Sequence, residues 1–264
     1  MTSDSKMTTK LVQVKVDSSV AVVTLNDPDR RNAMSQQMAA EFSSVVGQLR
    51  TNPNLRAAIL TGAGSAFAAG GDLEMLRKKA ALDPETNRTK MLEFYDAFLC
   101  IQSLPFPTIA AVNGHAIGAG LCVALACDFR FVAEGAKLGF PFTRLGLHPG
   151  MGATCFLPRI IGRDMATDLL VTGRTISAGE AAGLGMFREV RSAEAIMPTA
   201  LRLAESLAKT GPSAVAGLLK TLRPSSAELK ATLEREAAEQ SRNYASEEFV
   251  EGITAAIEKR SPEF

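Results

Sequence analysis

Two stretches of this sequence lead an apolar run into a cluster of small residues, a pattern suited to chemistry by backbone N–H groups. The first is Thr61-Gly62-Ala63-Gly64-Ser65-Ala66-Phe67-Ala68-Ala69-Gly70-Gly71-Asp72-Leu73, and the second is Ala110-Ala111-Val112-Asn113-Gly114-His115-Ala116-Ile117-Gly118-Ala119-Gly120-Leu121. In each, a buried strand meets glycines and then the start of a helix, where N–H groups lack intrahelical partners and partial positive charge gathers. Glycine also lets a ligand come close to the backbone. Two such turns brought together supply two convergent donors, which is an oxyanion hole. A tight strand-to-helix turn with no ligand has the same composition, so neither stretch is decisive alone. The second is not a dinucleotide fingerprint, because the third glycine position after Gly118 and Gly120 holds Val123. Neither a Walker A loop nor a GxSxG nucleophile elbow is present.

The elements that must hold these turns follow from periodicity. Val12, Val14 and Val16 alternate with polar residues, Asp17-Ser18-Ser19 has turn chemistry, and a second strand resumes over 20–25. Ser35 caps a helix whose apolar stripe is Met38, Phe42, Val45, Val46 and Leu49. A strand over 57–61 precedes the first glycine cluster. An amphipathic helix carrying Met91, Phe94, Phe98 and Ile101 is stopped by Pro105 and Pro107. A strand over 108–112, a small-residue helix over 118–126 and a strand over 129–132 follow. This alternation predicts an α/β fold. Beyond about residue 160 strand signals nearly vanish. Ser177 with Glu180 forms a capping box, and helices are predicted over 196–208 and 226–244 and after Ser246. The chain is divided into a flexible leader (1–10), an α/β core (11–200) and a helical C-terminal region (201–264).

Taken together, the two glycine-rich segments resemble the paired signatures of the crotonase (enoyl-CoA hydratase/isomerase) superfamily, AFxAGxDL and AxxNGxAxGxGxxLALxCDxRxA. Ordered matches extend along nearly the whole chain. Leu25-Asn26-Asp27-Pro28 with Arg31-Asn32-Ala33-Met34 is similar to the early LNxPxxxNA motif. Leu147-His148-Pro149-Gly150-Met151-Gly152-Ala153-Thr154 with Leu157-Pro158-Arg159 is similar to the GxxPGxGxTxxLPR segment. Thr172-Gly173-Arg174 and the run from Ala178 to Leu184 follow TGxxxxAxEAxxxGL, and Glu251-Gly252 with Glu258-Lys259-Arg260-Ser261-Pro262 follow the terminal motif.

The resemblance implies a spiral of ββα units, a helical trimerisation region, and self-association as a trimer or hexamer. It implies an acyl-CoA substrate, with coenzyme A entering as part of that substrate and no permanently bound cofactor. The thioester oxygen is expected to be held by the N–H groups of Gly71 and Ala119. Alanine replaces the family's usual glycine at 119 yet still offers its N–H. Ala69, Gly70, Asp72 and Leu73 are expected to face the bent coenzyme A, and Arg30 or Arg31 to meet its phosphates. The two positions where hydratases carry their acid/base glutamates hold Cys122 and Phe142, so the resemblance implies that both carboxylates are absent. His148, in the loop that borders the acyl end in the family, is the remaining titratable candidate. The competing reading of His148 is a loop histidine bonded to backbone. Arg144 and Thr143 are expected near the pocket mouth.

Composition narrows the class. Hydrophobic residues make up 46% and charged residues 22% of 264, with a net charge of +1. That balance offers no electrostatic reason for a nucleic-acid partner or an anionic membrane surface. No apolar run reaches the roughly 18–20 residues that span a bilayer. The polar leader lacks the apolar core of a secretory signal, and a cytoplasmic location is expected. Four cysteines without CxxC or zinc spacing read as reduced core residues, and no metal site is expected. Three functions remain open: an enoyl-CoA hydratase-like lyase or isomerase with non-standard acid/base groups, a decarboxylase-like lyase acting on a malonyl-type ester, and a non-catalytic acyl-CoA-binding subunit.

Overall fold

The structure, a computed structural model, describes residues 6–8 and 10–264. Residues 1–5 and 9 of the expected leader lie outside the described residues. Lys6–Thr8 forms β1 and pairs antiparallel with β2 (Val12–Asp17), which turns back into β3 (Val20–Leu25). Next comes α1 (Gln36–Arg50), whose Ser35 cap accepts a hydrogen bond from the Met38 N–H at 3.2 Å. Its buried face is Met38, Phe42, Val45, Val46 and Leu49, as the stripe predicted.

From here the chain alternates between two sheets. β4 (Ala57–Gly62) is followed by β5 (Ala66–Ala68), α2 (Leu73–Lys78) and α3 (Pro84–Leu99). β6 (Thr108–Val112), β7 (His115–Ile117) and α4 (Ala119–Leu125) repeat the pattern. β8 (Phe129–Ala133) and β9 (Lys137–Gly139) start it again before α5 (Ala153–Ile161) and α6 (Arg163–Thr172). Among the described residues β1, β2, β3, β4, β6 and β8 lie in that order in one sheet, and β9, β7 and β5 in a smaller one. Each turn of the chain thus gives one strand to each sheet and then a helix, which is the expected spiral of ββα units. The chain ends with β10 (Thr175–Ser177) on β9, α7 (Ala178–Gly183), β11 (Glu189–Arg191) on β8, α8 (Ala193–Leu207), α9 (Pro212–Leu222), α10 (Ser226–Asn243) and α11 (Glu247–Glu258). β10 and β11 amend the expectation that strands nearly vanish after residue 160. Each has three residues, too few to show alternation.

β4 and β6 are buried throughout, as parallel strands covered on both faces must be. On one face Ile196, Ala200 and Ala204 of α8 pack on Ala57, Ile59, Ile109 and Phe131. α8 runs across the boundary expected at residue 200 and packs on this sheet. The other face meets the main core, to which α1, α3 and α10 contribute.

A mostly buried ion pair ties the end of α9 to this core. Nε and Nη2 of Arg223 reach the two carboxylate oxygens of Asp128 at 2.9 and 2.6 Å. The same guanidinium donates to the carbonyls of Gln102, Leu104 and Phe106. Asp128 also accepts from the Thr108 N–H and hydroxyl, both at 2.8 Å. Removing one partner of a mostly buried pair leaves the other charge uncompensated. Arg223→Ala is therefore expected to lower the stability to urea unfolding by about 3–5 kcal/mol. Arg223→Lys should restore only part of this, because an ammonium cannot span a carboxylate and three carbonyls at once.

Candidate active site

Two asparagines fix the loop between β4 and β5. Asn32 is fully buried in the left-handed conformation (φ 52–55° over Arg31 and Asn32), which asparagine tolerates better than most residues. Its Nδ2 donates to the carbonyls of Ala63, Ala66 and Phe67 at 2.8–3.2 Å, and its Oδ1 accepts from the Asp27 N–H at 2.8 Å. Asn113 grips the loop's other side. Its Oδ1 accepts from the Gly62 N–H at 3.1 Å, and its Nδ2 donates to the Gly64 carbonyl at 3.0 Å.

The loop so held sends β5 alongside β7. The two are parallel, with Ala66 opposite His115 and Ala68 opposite Ala116. Parallel neighbours end on the same side, so the turns that follow them must lie together. The approach is close: a Cβ on Gly120 would stand 2.6 Å from the Ala68 Cβ. Gly70 has φ +89°, and a Cβ there would stand 2.7 Å from the Ile117 carbonyl oxygen.

This geometry frees one N–H in each turn. The Met34 N–H donates to the Gly70 carbonyl at 2.8 Å and the Asp72 N–H to the Met34 carbonyl at 3.3 Å, a parallel bridge centred on Gly71. Alternation along an extended strand turns the intervening Gly71 N–H the other way, and among the described residues it has no partner. Ala119 opens α4 behind Gly118, so its N–H is one of the helix's orphan donors and likewise has none.

Gly71 and Ala119 line one cavity of about 330 Å³, together with Ala69, Gly70, Leu73 and Phe142. Met75, Leu76, Met91, Phe94, Leu147 and Met151 make its walls apolar. Ala256 of α11 and residues 260–262 border it, and Arg144 also lines it. No carboxylate or imidazole is among its lining residues. No cluster of His, Cys, Asp or Glu among the described residues could hold a metal ion, and no helix is long and apolar enough to cross a membrane.

The other predicted residues sit elsewhere. Cys122 is fully buried behind the wall, with Sγ 3.6 Å from the Gly150 carbonyl, and burial, helped by the charge of Glu236, pushes its thiol well above the ordinary range. The other three cysteines are also free. Asp72 caps α2 by accepting from the Met75 N–H at 2.7 Å and is ion-paired to Arg30, whose guanidinium is outside the cavity lining. His148 lines a second cavity with Thr143, Glu239, Asn243 and Glu248. Its Nδ1 lies 2.6 Å from the Pro149 carbonyl, and its N–H donates to Asn243 Oδ1 at 2.8 Å.

Sequence reasoning missed four buried polar residues: Tyr95, Gln240 and Tyr244, which line the cavity, and Glu236, one turn before Gln240 on α10. Tyr95 donates to Gln240 Oε1 at 2.7 Å, and Gln240 Nε2 donates to the His148 carbonyl at 2.7 Å. Glu236 accepts from the N–H groups of Gly152 and Thr154 at 2.7 and 2.9 Å and from the Thr154 hydroxyl at 2.6 Å, fixing the turn that begins α5. A usable signal existed. Glu236 and Gln240 are polar residues four apart on the stripe that carries Leu233, Ala237 and Tyr244.

Residues 15–264 match the Enoyl-CoA hydratase/isomerase family. The chain is 37% identical over 252 residues to a probable enoyl-CoA hydratase of Mycobacterium tuberculosis, covering 93% of this chain and 96% of that protein. Among solved structures, an enoyl-CoA hydratase/isomerase from Pseudoalteromonas atlantica superposes with a TM-score of 0.85 at 30% identity, covering 97% of this chain and all of that one. An enoyl-CoA hydratase from Bacillus halodurans gives 0.86 at 26% identity, covering 93% and 99%. The crotonase-like α/β fold is thereby established.

Glu236 gives the site a pH signature. Burial raises its carboxyl from 4.5 to about 7, against the hydrogen bonds from Thr154 and Gly152 and the nearby Arg235. A carboxyl raised in the folded state favours folding fully below its unfolded pKa, and that contribution is lost as pH rises through the folded one. Unfolding free energy should therefore fall by a few kcal/mol between about pH 4.5 and 7 on this account. Urea titrations of Glu236→Gln, less stable overall, should lack that part of the slope.

Proposed function

The chain belongs to the enoyl-CoA hydratase/isomerase family, and from that premise we propose an enzyme that stabilises an acyl-CoA thioester enolate on the N–H groups of Gly71 and Ala119. The observation that carries this reading is the pair of unpartnered donors, set at the ends of two parallel strands and opening into one apolar cavity. Negative charge that develops on the thioester oxygen meets two fixed dipoles in a largely apolar surrounding, where their attraction is stronger than in water. The donors need no reorganisation as the charge forms. Coenzyme A enters as part of the substrate, with Ala69, Gly70 and Leu73 at the cavity wall beside it, and no metal is required.

The acid/base chemistry is non-standard in this proposal. Of the two positions that correspond to the hydratase glutamates, Cys122 carries a protonated buried thiol and Phe142 puts an apolar ring into the cavity. Water needs two to four polar partners to be ordered, and the walls offer few. His148 is not assigned a proton-transfer role, since it lines the other cavity. The lack of a lining carboxylate or imidazole also supports a second reading, decarboxylation of a malonyl-type thioester. There the electrons of the C–C bond pass directly into the enolate as CO2 leaves, and no base is needed to form it. Assembly as a trimer or hexamer is proposed as well, since α9 exposes Leu218 at 56% and Leu222 at 70%.

Crotonyl-CoA hydration is expected to be very slow or undetectable, while a turnover screen over 3-enoyl- and malonyl-type esters finds the physiological class. Binding of every ester with no turnover of any would contradict the enzyme reading. On a substrate that turns over, Gly71→Pro removes the donor and should cost about 2.7–4 kcal/mol of transition-state stabilisation. Gly71→Ala keeps the N–H, meets only Leu76 at 3.4 Å and should retain most activity. Sedimentation at micromolar concentration is expected to give a trimer or hexamer, and a monomer would contradict the assembly.

A further inference from the structure

Part of the cavity wall is a backbone turn in an uncommon conformation. Gly150 and Met151 line the cavity that Gly71 and Ala119 line. Met151 has φ 60° and Gly152 after it φ 73°, two left-handed residues in succession. That region is open to glycine and strained for a residue with a side chain, so the surrounding structure must over-determine Met151. Strain of this kind collects where a ligand is clamped.

Both neighbours of Met151 are fixed. Gly150 is packed so closely that a Cβ on it would stand 2.4 Å from the Tyr95 oxygen and 2.8 Å from Gln240 Nε2. Its carbonyl accepts from the Ala153 N–H at 3.2 Å. Gly152 donates its N–H to Glu236 at 2.7 Å, and Thr154 brings its N–H and hydroxyl to the other carboxylate oxygen. Gly152 offers no side-chain cap to α5, so the cap comes from α10, with a carboxylate at the positive end of the helix. Glu236 itself is fully buried and does not line the cavity.

The titratable groups facing Glu236 are Arg235 on α10, Tyr95 on α3, Cys122 on α4 and Cys155 on α5. Burial pushes the phenol and both thiols above their ordinary range, so they stay neutral while Glu236 titrates. Burial also brings Glu236 to about 7, against the hydrogen bonds from Thr154 and Gly152 and the charge of Arg235. An ionised carboxylate only accepts, and the three donors of the turn suit it. A protonated one places a hydrogen among those donors, where only the Thr154 hydroxyl can turn to accept it. The hold on the turn then weakens.

We infer that Glu236 is a positioning residue: ionised, it holds the turn 150–152 and with it Met151 in the cavity wall, and on taking up a proton it loosens that wall. The cavity's hold on an acyl chain is thus set by a group that never touches the ligand. The sign follows from the held wall being the pre-organised one. Affinity for the chain is full above about pH 7 and is lost as pH falls through that value. The inference rests on the acyl-CoA reading above and adds a pH control to it.

The test is calorimetric, because binding can be read without turnover. Hexanoyl-CoA and free coenzyme A are titrated into the wild-type protein between about pH 5.5 and 8.5, on either side of the Glu236 transition. Both ligands carry the same titrating phosphates, so the ratio of their dissociation constants reads the acyl wall alone. That ratio should favour hexanoyl-CoA about tenfold more at the upper end than at the lower, with its midpoint near 7. In Glu236→Gln, which sets an amide donor beside the turn, the ratio should stay at its low-pH value throughout. Met151→Gly removes both the strain and the wall, and should give a flat ratio while folding stability still varies with pH through Glu236. A purely structural role would weaken both ligands alike and leave the wild-type ratio flat, which overturns the inference and leaves the acyl-CoA reading intact. A pH-dependent ratio that survives in Glu236→Gln, or in Met151→Gly should the first variant not fold, also overturns it. Failure of hexanoyl-CoA to bind at any pH overturns both.

Discussion

The site depends on the parallel pairing of β5 with β7, two strands of three residues each. Antiparallel pairing would put the two following turns at opposite ends, and their free N–H groups could not share a cavity. Strands this short contribute little by themselves, so the pairing is imposed from outside. Asn32 and Asn113 saturate the loop that enters β5, and the small residues at 68 and 120 let the two chains approach closely. The bridge between Met34 and Gly71 then fixes which N–H is left over. The donors are aimed by backbone geometry alone, which leaves the side chains of the cavity free to differ in chemistry.

A balance between apolar walls and a few buried polar groups governs the rest of the cavity. The apolar lining strengthens any interaction with charge on a ligand oxygen, and for the same reason makes every unpaired polar group costly. Two responses to that cost appear on α10. Glu236 is saturated by three donors from the turn 152–154 and holds the start of α5. Gln240 links Tyr95 to the His148 carbonyl and so ties α3, α10 and the loop before α5 together. Tyr244 donates to Met91 Sδ, a weak acceptor, at 3.4 Å and has a longer-than-usual contact with Gln240 Oε1, also at 3.4 Å.

Much of the fold was legible in the sequence. The apolar stripe of α1, the buried strands β4 and β6 and the caps at Ser35, Ser177 and Ser246 all followed from spacing and residue type. The three-residue strands were not, because the pattern of a strand needs more positions than they have, and β10 and β11 lie where helices dominate. For the site, the backbone turns announced themselves through glycine and alanine, whose small size is the signal. The side chains were harder. His148 stands out in the sequence because histidine is the residue type suited to proton transfer near neutral pH, yet its neighbours are set by α10, more than ninety residues on. Tyr95 and Tyr244 carried no mark at all, since aromatic residues on an apolar stripe read as core. Only the polar pair Glu236 and Gln240 broke the stripe that contains them.

The most direct measurement of the central claim is the stretching frequency of the thioester carbonyl in a bound, unreactive acyl-CoA, isolated by a carbon-13 label in difference infrared spectra. Two backbone donors converging on that oxygen polarise the bond, so the frequency should drop on binding relative to water, and the drop should largely vanish in Gly71→Pro. A carbonyl that moves to higher frequency, as it would in an apolar cavity without donors, would contradict the assignment of Gly71 and Ala119.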